Sequence, residues 1–121
     1  MTTCTALPPG WLAGVLSGLG ATGDEVAQTL REGGATGTPT DIWDDPVASY
    51  IRRRVRDLAG PDALVAVMVT SDDVMVTTAA TSLDPGACQE LLAETPEAVD
   101  DFLTRFDAGE DYQDLLRASA A

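Results

Sequence analysis

The chain of 121 residues contains no histidine, no lysine and no asparagine. Catalysis near neutral pH usually depends on histidine, an activated cysteine or lysine, a pair of carboxylates in a pocket, or a metal. Two of those residue types are absent, and no serine lies in the Gly-x-Ser-x-Gly turn that exposes a nucleophile. Serine chemistry would also lack the histidine that activates the hydroxyl group. We therefore predict that the chain is not an enzyme.

Cysteine is scarce as well, because only Cys4 and Cys88 occur and they lie far apart in the sequence. Without a Cys-x-x-Cys pair or a histidine, neither a structural disulfide nor a zinc site is expected. The absence of lysine excludes a Gly-x-x-x-x-Gly-Lys phosphate loop, and the acidic residues do not follow calcium-loop spacing. The sequence thus predicts no cofactor and no metal ion.

A long apolar segment is also missing. The N-terminus has no basic residues, and the apolar stretch from Trp11 to Leu19 is short and interrupted by glycine. This pattern fits neither a signal peptide nor a membrane span. We expect a soluble cytoplasmic protein that does not contact a membrane.

Negative charge, by contrast, is abundant: 20 acidic residues against seven arginines give a net charge of −13. Such charge keeps a protein soluble and disfavours direct binding to nucleic acid or to an anionic membrane. Lysine and asparagine have AT-rich codons, so their joint absence indicates a GC-rich genome. We interpret the acidity mainly as genomic bias combined with solubility.

The length and a hydrophobic share of 45% fit a single domain over residues 1–121, with residues 1–9 expected to form a loose N-terminus. Helical spacing predicts a first helix from Trp11. A second helix is predicted to begin at the Thr22-x-x-Glu25 capping box and to end at Gly33-Gly34. Residues 35–45, rich in glycine, threonine, proline and aspartate, are predicted to form a loop.

The clearest helix signal is Asp45-Pro46, an acidic cap followed by proline, which predicts a helix to about Ala59. Its predicted apolar face comprises Val47, Tyr50, Ile51, Val55 and Leu58. Arg54 falls within that face. A buried guanidinium needs a partner, so we predict either an ion pair with Asp100, Asp101 or Asp107 or a side chain that reaches water along its stem.

Two β-branched runs separated by a short polar turn predict an antiparallel hairpin over residues 64–78. The first run is apolar throughout, so we expect it to be central or covered on both faces. Residues 86–94 fit either a helix or a third strand. Thr95-Pro96 predicts a further helix by the same cap-and-proline logic, ending at Gly109, and a last turn offers Tyr112 to the core or to a partner.

These elements predict an α+β fold in which N-terminal and C-terminal helices pack on a small antiparallel sheet. Three segments together, Asp45-Pro46-Val47-Ala48-Ser49-Tyr50-Ile51, Thr95-Pro96-Glu97-Ala98-Val99-x-x-Phe102 and Phe106-Asp107-Ala108-Gly109, resemble a pattern in short, uncharacterised proteins of high-GC bacteria. The resemblance covers roughly residues 25–116. It implies the order helix, hairpin, helix, and it implies no activity and no functional residues.

The shortage of catalytic groups and the apolar hairpin predict a non-enzymatic protein–protein interaction or regulatory module, whose partner is another protein or a second copy of the chain. Candidate residues for an interaction or a structural ion pair are Arg54, Asp107 and Tyr112. One alternative is an acidic inhibitor or nucleic-acid mimic of the phage anti-defence or antitoxin type, because residues 90–114 hold nine acidic residues and one arginine. Another is a small-molecule binder or small enzyme, which needs a concave apolar pocket with converging carboxylates or Arg54.

Overall fold

The computed structural model describes residues 7, 8, 10–60, 64–81 and 84–116, with the backbone alone for residues 79–81 and 84–88. The described elements are α1 (Trp11–Gly18), α2 (Gly23–Glu32), α3 (Pro46–Ala59), β1 (Leu64–Val69), β2 (Asp73–Thr81), β3 (Asp84–Glu94), α4 (Glu97–Asp107) and a 3-10 turn (Gln113–Leu115). The predicted α+β class is confirmed.

Local capping chemistry sets the starts of α2 and α3. The Asp45 carboxylate accepts the Ala48 N–H at 2.8 Å, and proline occupies the first helical position, as predicted. The Thr22 hydroxyl likewise accepts the Glu25 N–H at 3.2 Å. Each contact satisfies an amide that the helix itself leaves without a partner, so both helices begin where the sequence predicts.

The start of α4 differs from the prediction. Pro96, rather than Thr95, occupies the cap position, and no side chain caps the helix. The Thr95 hydroxyl instead donates to the Thr70 carbonyl at 2.7 Å, while the Thr95 N–H donates to the Asp72 carbonyl at 3.0 Å. The predicted Thr95 cap is therefore wrong, because this residue fastens the start of α4 to the β1–β2 turn.

The sheet is an antiparallel meander in the order β1-β2-β3, which confirms the hairpin and the third-strand alternative for residues 86–94. The central strand is β2, so the expectation that the first strand is central or covered on both faces is wrong. Along β1, Val67 and Val69 are buried whereas Ala66 is exposed. The outward residues of this edge strand are apolar although no described element packs over them, which is why its sequence resembles that of a buried strand.

The core lies between one face of the sheet and the helices. Within the described chain, α3 packs closely on β1, α1 lies against β3, and α2 pairs with α4. The largest fully buried side chains are Phe102, Phe106, Leu16, Leu19, Leu30 and Ile51. Leu58, predicted to be buried, lies in the last turn of α3 with 52% of its surface exposed, so that part of the predicted apolar face is wrong.

Two long-range contacts fasten the ends of the described chain. The Leu7 N–H donates to Gln89 Oε1 at 2.9 Å, and Gln89 Nε2 donates to the Leu7 carbonyl at 3.2 Å. Leu7 is buried, and apart from it and Pro8 the predicted loose N-terminus, residues 1–9, lies outside the described residues. Near the other end, the Gly37 N–H donates to the Leu115 carbonyl at 3.0 Å.

In the part of the chain that the structure describes, no helix combines the length and the apolar character that crossing a bilayer requires.

Candidate functional site

The face of the sheet that points away from the core is open. In the strand register, Met68 lies opposite Met75, and Met75 lies opposite Leu92, so these three side chains form one apolar row across all three strands. Met68 and Met75 are half-buried, whereas Leu92 exposes 69% of its surface. Because the row is partly or fully accessible, no described element covers it. We refer to Met68, Met75 and Leu92 as the methionine row.

Carboxylates border the methionine row on β2 and β3. Glu90 and Glu94 lie two positions before and after Leu92, hence on the same face of the strand. Asp73 of β2 pairs directly with Glu94. Like charges placed opposite each other destabilise a sheet, and a bound cation relieves that repulsion. The open face therefore combines an apolar row with three acidic side chains.

A second feature is an acidic pocket of about 160 Å³ between the 40–45 loop, α4 and the end of β1. Asp45 is only 3% exposed there, and burial raises its pKa to about 7. The hydrogen bond from the Ala48 N–H acts to lower this pKa, whereas the negative charge of Asp107 raises it further. Asp107 in turn accepts the Thr40 N–H at 2.9 Å. The Asp107 carboxylate thus fastens the loop to the end of α4.

The acidic pocket is poorly suited to binding. Its volume lies below the roughly 300 Å³ of ordinary ligand sites. Among the described residues, no group of three or more histidine, cysteine, aspartate or glutamate side chains is arranged to hold a metal ion. Asp45 is already engaged as the cap of α3. We assign this pocket to the stability of the fold.

Arg54 lies on the exposed side of α3, whereas the sequence placed it within the buried apolar face of that helix. Its guanidinium carbon is 5.9 Å from the centroid of the Tyr50 ring. Within the described part of the chain it makes no ion pair with Asp100, Asp101 or Asp107. The predicted ion pair is wrong, because Arg54 is exposed and needs no buried partner. Its exposure agrees with the alternative prediction, in which the side chain reaches water.

Tyr112 belongs to a network that joins α2, α4 and the C-terminal turn. Its hydroxyl donates to Asp24 Oδ1 at 2.6 Å, and its ring stacks on Phe102 with centroids 4.9 Å apart. The Arg105 guanidinium lies over the same ring at 4.8 Å and also donates to Asp111 at 2.8 Å. Burial, followed by the hydrogen bond to Asp24, raises the pKa of Tyr112 to about 12.

Removing the Tyr112 hydroxyl should weaken this network. Tyr112→Phe keeps the stacked ring but loses the hydrogen bond to a carboxylate, so we expect a loss of about 1 kcal/mol in the free energy of unfolding. Urea titration followed by circular dichroism measures it. Tyr50→Phe is the matched control, because the Tyr50 hydroxyl makes no hydrogen bond to another residue that the structure describes. Equal stabilities of the two variants would contradict the assignment of Tyr112 to a structural network.

The three candidate residues therefore lie in three different places: Arg54 on the outer side of α3, Asp107 in the acidic pocket and Tyr112 in the C-terminal network. The structure does not bring them together into one site. The methionine row was not predicted from the sequence. The alternation along β2 does show that Met75 faces away from the side of the strand that holds Val74 and Val76.

No protein-family model, no curated protein and no solved structure gives a significant match to this chain.

Proposed function

We propose that the chain is a non-enzymatic interaction module that binds a cationic, amphipathic segment of a partner protein on the open sheet face. The observation that carries this proposal is the methionine row, which is accessible and bordered by carboxylates. Apolar side chains of the partner would pack on the row while its arginine or lysine side chains meet the acidic border. Methionine suits such a surface because its flexible thioether adapts to irregular partners.

Charge favours a basic partner over a second copy of the chain. Two copies packed through this face would bring Asp73, Glu90 and Glu94 of each molecule towards those of the other. Each copy also carries a net charge of −13. Like-charge juxtaposition at an interface is costly, whereas opposite charge accelerates association. The partner is therefore a positively charged protein segment.

A synthetic amphipathic helix of leucine and lysine tests the proposal. We expect Leu92→Gln to weaken its binding by about tenfold, because Leu92 is the most exposed apolar side chain of the methionine row and lies between Glu90 and Glu94. Leu58→Gln is the matched control: the same substitution at another exposed leucine, with 52% exposure, should leave affinity unchanged. Isothermal titration calorimetry at physiological salt measures both affinities.

Two outcomes would contradict the proposal. If both variants bind the peptide as the original chain does, the methionine row takes no part and only general charge attraction operates. If light scattering shows a dimer that Leu92→Gln converts to a monomer, the open sheet face binds a second copy instead of a basic partner.

A further inference from the structure

A cleft of about 430 Å³ lies between α1 and α3. Its lining residues are Trp11, Gly14, Val15, Gly18, Tyr50 and Arg54. The four residues of α1 follow the spacing of one helix face, and Tyr50 and Arg54 are one turn apart on α3. The volume falls within the range of roughly 300–1,000 Å³ that holds small molecules in proteins. None of these residues belongs to the open sheet face.

Glycine keeps the α1 side of the cleft open. A Cβ atom built at Gly14 or at Gly18 would meet no heavy atom within 4 Å. Close packing within the described chain therefore does not require glycine at either position. Glycine in the middle of a helix is less favourable than alanine, so Gly14 weakens α1 without any gain in packing. What glycine leaves instead is open space among the described residues, beside the rings of Trp11 and Tyr50.

Two half-buried aromatic rings, those of Trp11 and Tyr50, line this space. One edge of the Tyr50 ring lies close to Gly33, the residue that follows α2, because a Cβ built there would be 3.1 Å from the Tyr50 Cε2 atom. Flat, positioned rings stack favourably on a planar apolar ligand. The shape and chemistry of the cleft therefore suit an aromatic body.

Arg54 supplies the polar end of the cleft. In this acidic chain, the guanidinium groups of Arg31, Arg52 and Arg105 each pair with a carboxylate. The Arg54 guanidinium lies near the Tyr50 ring, and it has no carboxylate partner among the described residues. Its planar set of N–H donors matches the two oxygens of a carboxylate.

We propose that this cleft binds a small aromatic carboxylate, with the ring against Trp11 and Tyr50 and the carboxylate on Arg54. The lining residues include no carboxylate, cysteine or serine that would act on the ligand. This site is independent of the proposed binding of a basic partner, and either proposal stands if the other fails.

Nuclear magnetic resonance with 2-naphthoate as the probe tests the site, since the chain has two tryptophans and hence two indole N–H signals. We expect a saturable shift of the Trp11 signal and none of Trp43, which lies in a loop with 49% exposure. Trp43→Phe assigns the two signals. Arg54→Gln should weaken binding by about tenfold or more through loss of a charge-assisted contact. The neutral analogue 2-naphthylmethanol should bind the original chain more weakly by a similar factor.

Arg56→Gln is the charge-matched control, because it removes one arginine from the same helix outside the cleft and should retain affinity. Gly14→Leu should fill the cleft and abolish binding while the melting temperature stays the same or rises, because leucine favours the helix more than glycine does. Loss of binding in that variant is then not a consequence of unfolding.

Several results would overturn the proposal. A Trp43 shift as large as that of Trp11 would show that the probe does not select the cleft. Unchanged affinity in Arg54→Gln, or equal affinity for the neutral analogue, would show that no carboxylate is recognised. Full binding by Gly14→Leu would place the probe elsewhere.

Discussion

Asparagine in place of Asp45 should stabilise the protein above about pH 7 and flatten the dependence of its stability on pH. Burial of the Asp45 carboxyl raises its pKa from 3.8 to about 7 in the folded chain. Between those two values, the unfolded chain has released a proton that the folded chain retains. Stability from the protonated form is therefore complete below pH 3.8 and is lost as the pH rises through about 7. The loss amounts to as much as about 4 kcal/mol.

Urea unfolding at about pH 5 and about pH 8 measures roughly two thirds of this loss, because stability already begins to fall above pH 3.8. Asparagine also caps helices well, so Asp45→Asn keeps an oxygen that accepts the Ala48 N–H without the cost of a buried charge. Asp41→Asn is the control, because it removes one charge from the same pocket at a more exposed position. An equal loss of stability between the two pH values in Asp45→Asn and in the original chain would contradict the assignment to Asp45.

Alanine in place of Gly37 should destabilise the protein by about 4 kcal/mol or more, among the largest effects of a single substitution. A Cβ at this position would overlap the carbonyl carbon of Asp45 and the nitrogen of Pro46, and would lie 2.6 Å from the Asp44 carbonyl oxygen. These are backbone atoms at the start of α3, so no side chain can rotate away. The start of the helix would have to move instead.

The same urea titration measures this change, and Gly14→Ala provides a contrasting control. A Cβ at Gly14 meets open space, so alanine should raise the free energy of unfolding there by about 0.5–1 kcal/mol. The two identical substitutions are thus expected to act in opposite directions. A Gly37→Ala variant within about 1 kcal/mol of the original chain would show that the backbone near Asp45 yields easily.

The parts of the fold that depend only on residues close together in the sequence were predictable from it. The start of α3 follows from Asp45-Pro46 alone, because the carboxylate caps an amide three residues away. The position of β1 in the sheet was not predictable, since it depends on which strand pairs with β2 on its other side. The burial predicted for Leu58 is wrong for a related reason. Helical spacing shows which face of α3 is apolar, but it does not show how far along the helix another element covers that face.

The candidate sites show the same limit. Arg54 was singled out because it lies among apolar residues on α3, yet the choice of partner required knowledge of what packs nearby. The cleft forms only where α1 meets α3, and the methionine row only where three strands align. The resemblance to short proteins of high-GC bacteria and the absence of enzymatic activity stay predictions, as no observation in the structure tests them.

The pairing of Leu7 with Gln89 has a consequence for how the molecule assembles. The two residues are 82 positions apart, whereas the meander and each helix are built from near neighbours in the chain. Joining distant positions costs loop entropy that only an already formed sheet can offset. We therefore expect the Leu7–Gln89 hydrogen bonds to form late in folding and to break early when the native state opens, which amide hydrogen exchange at Leu7 would measure.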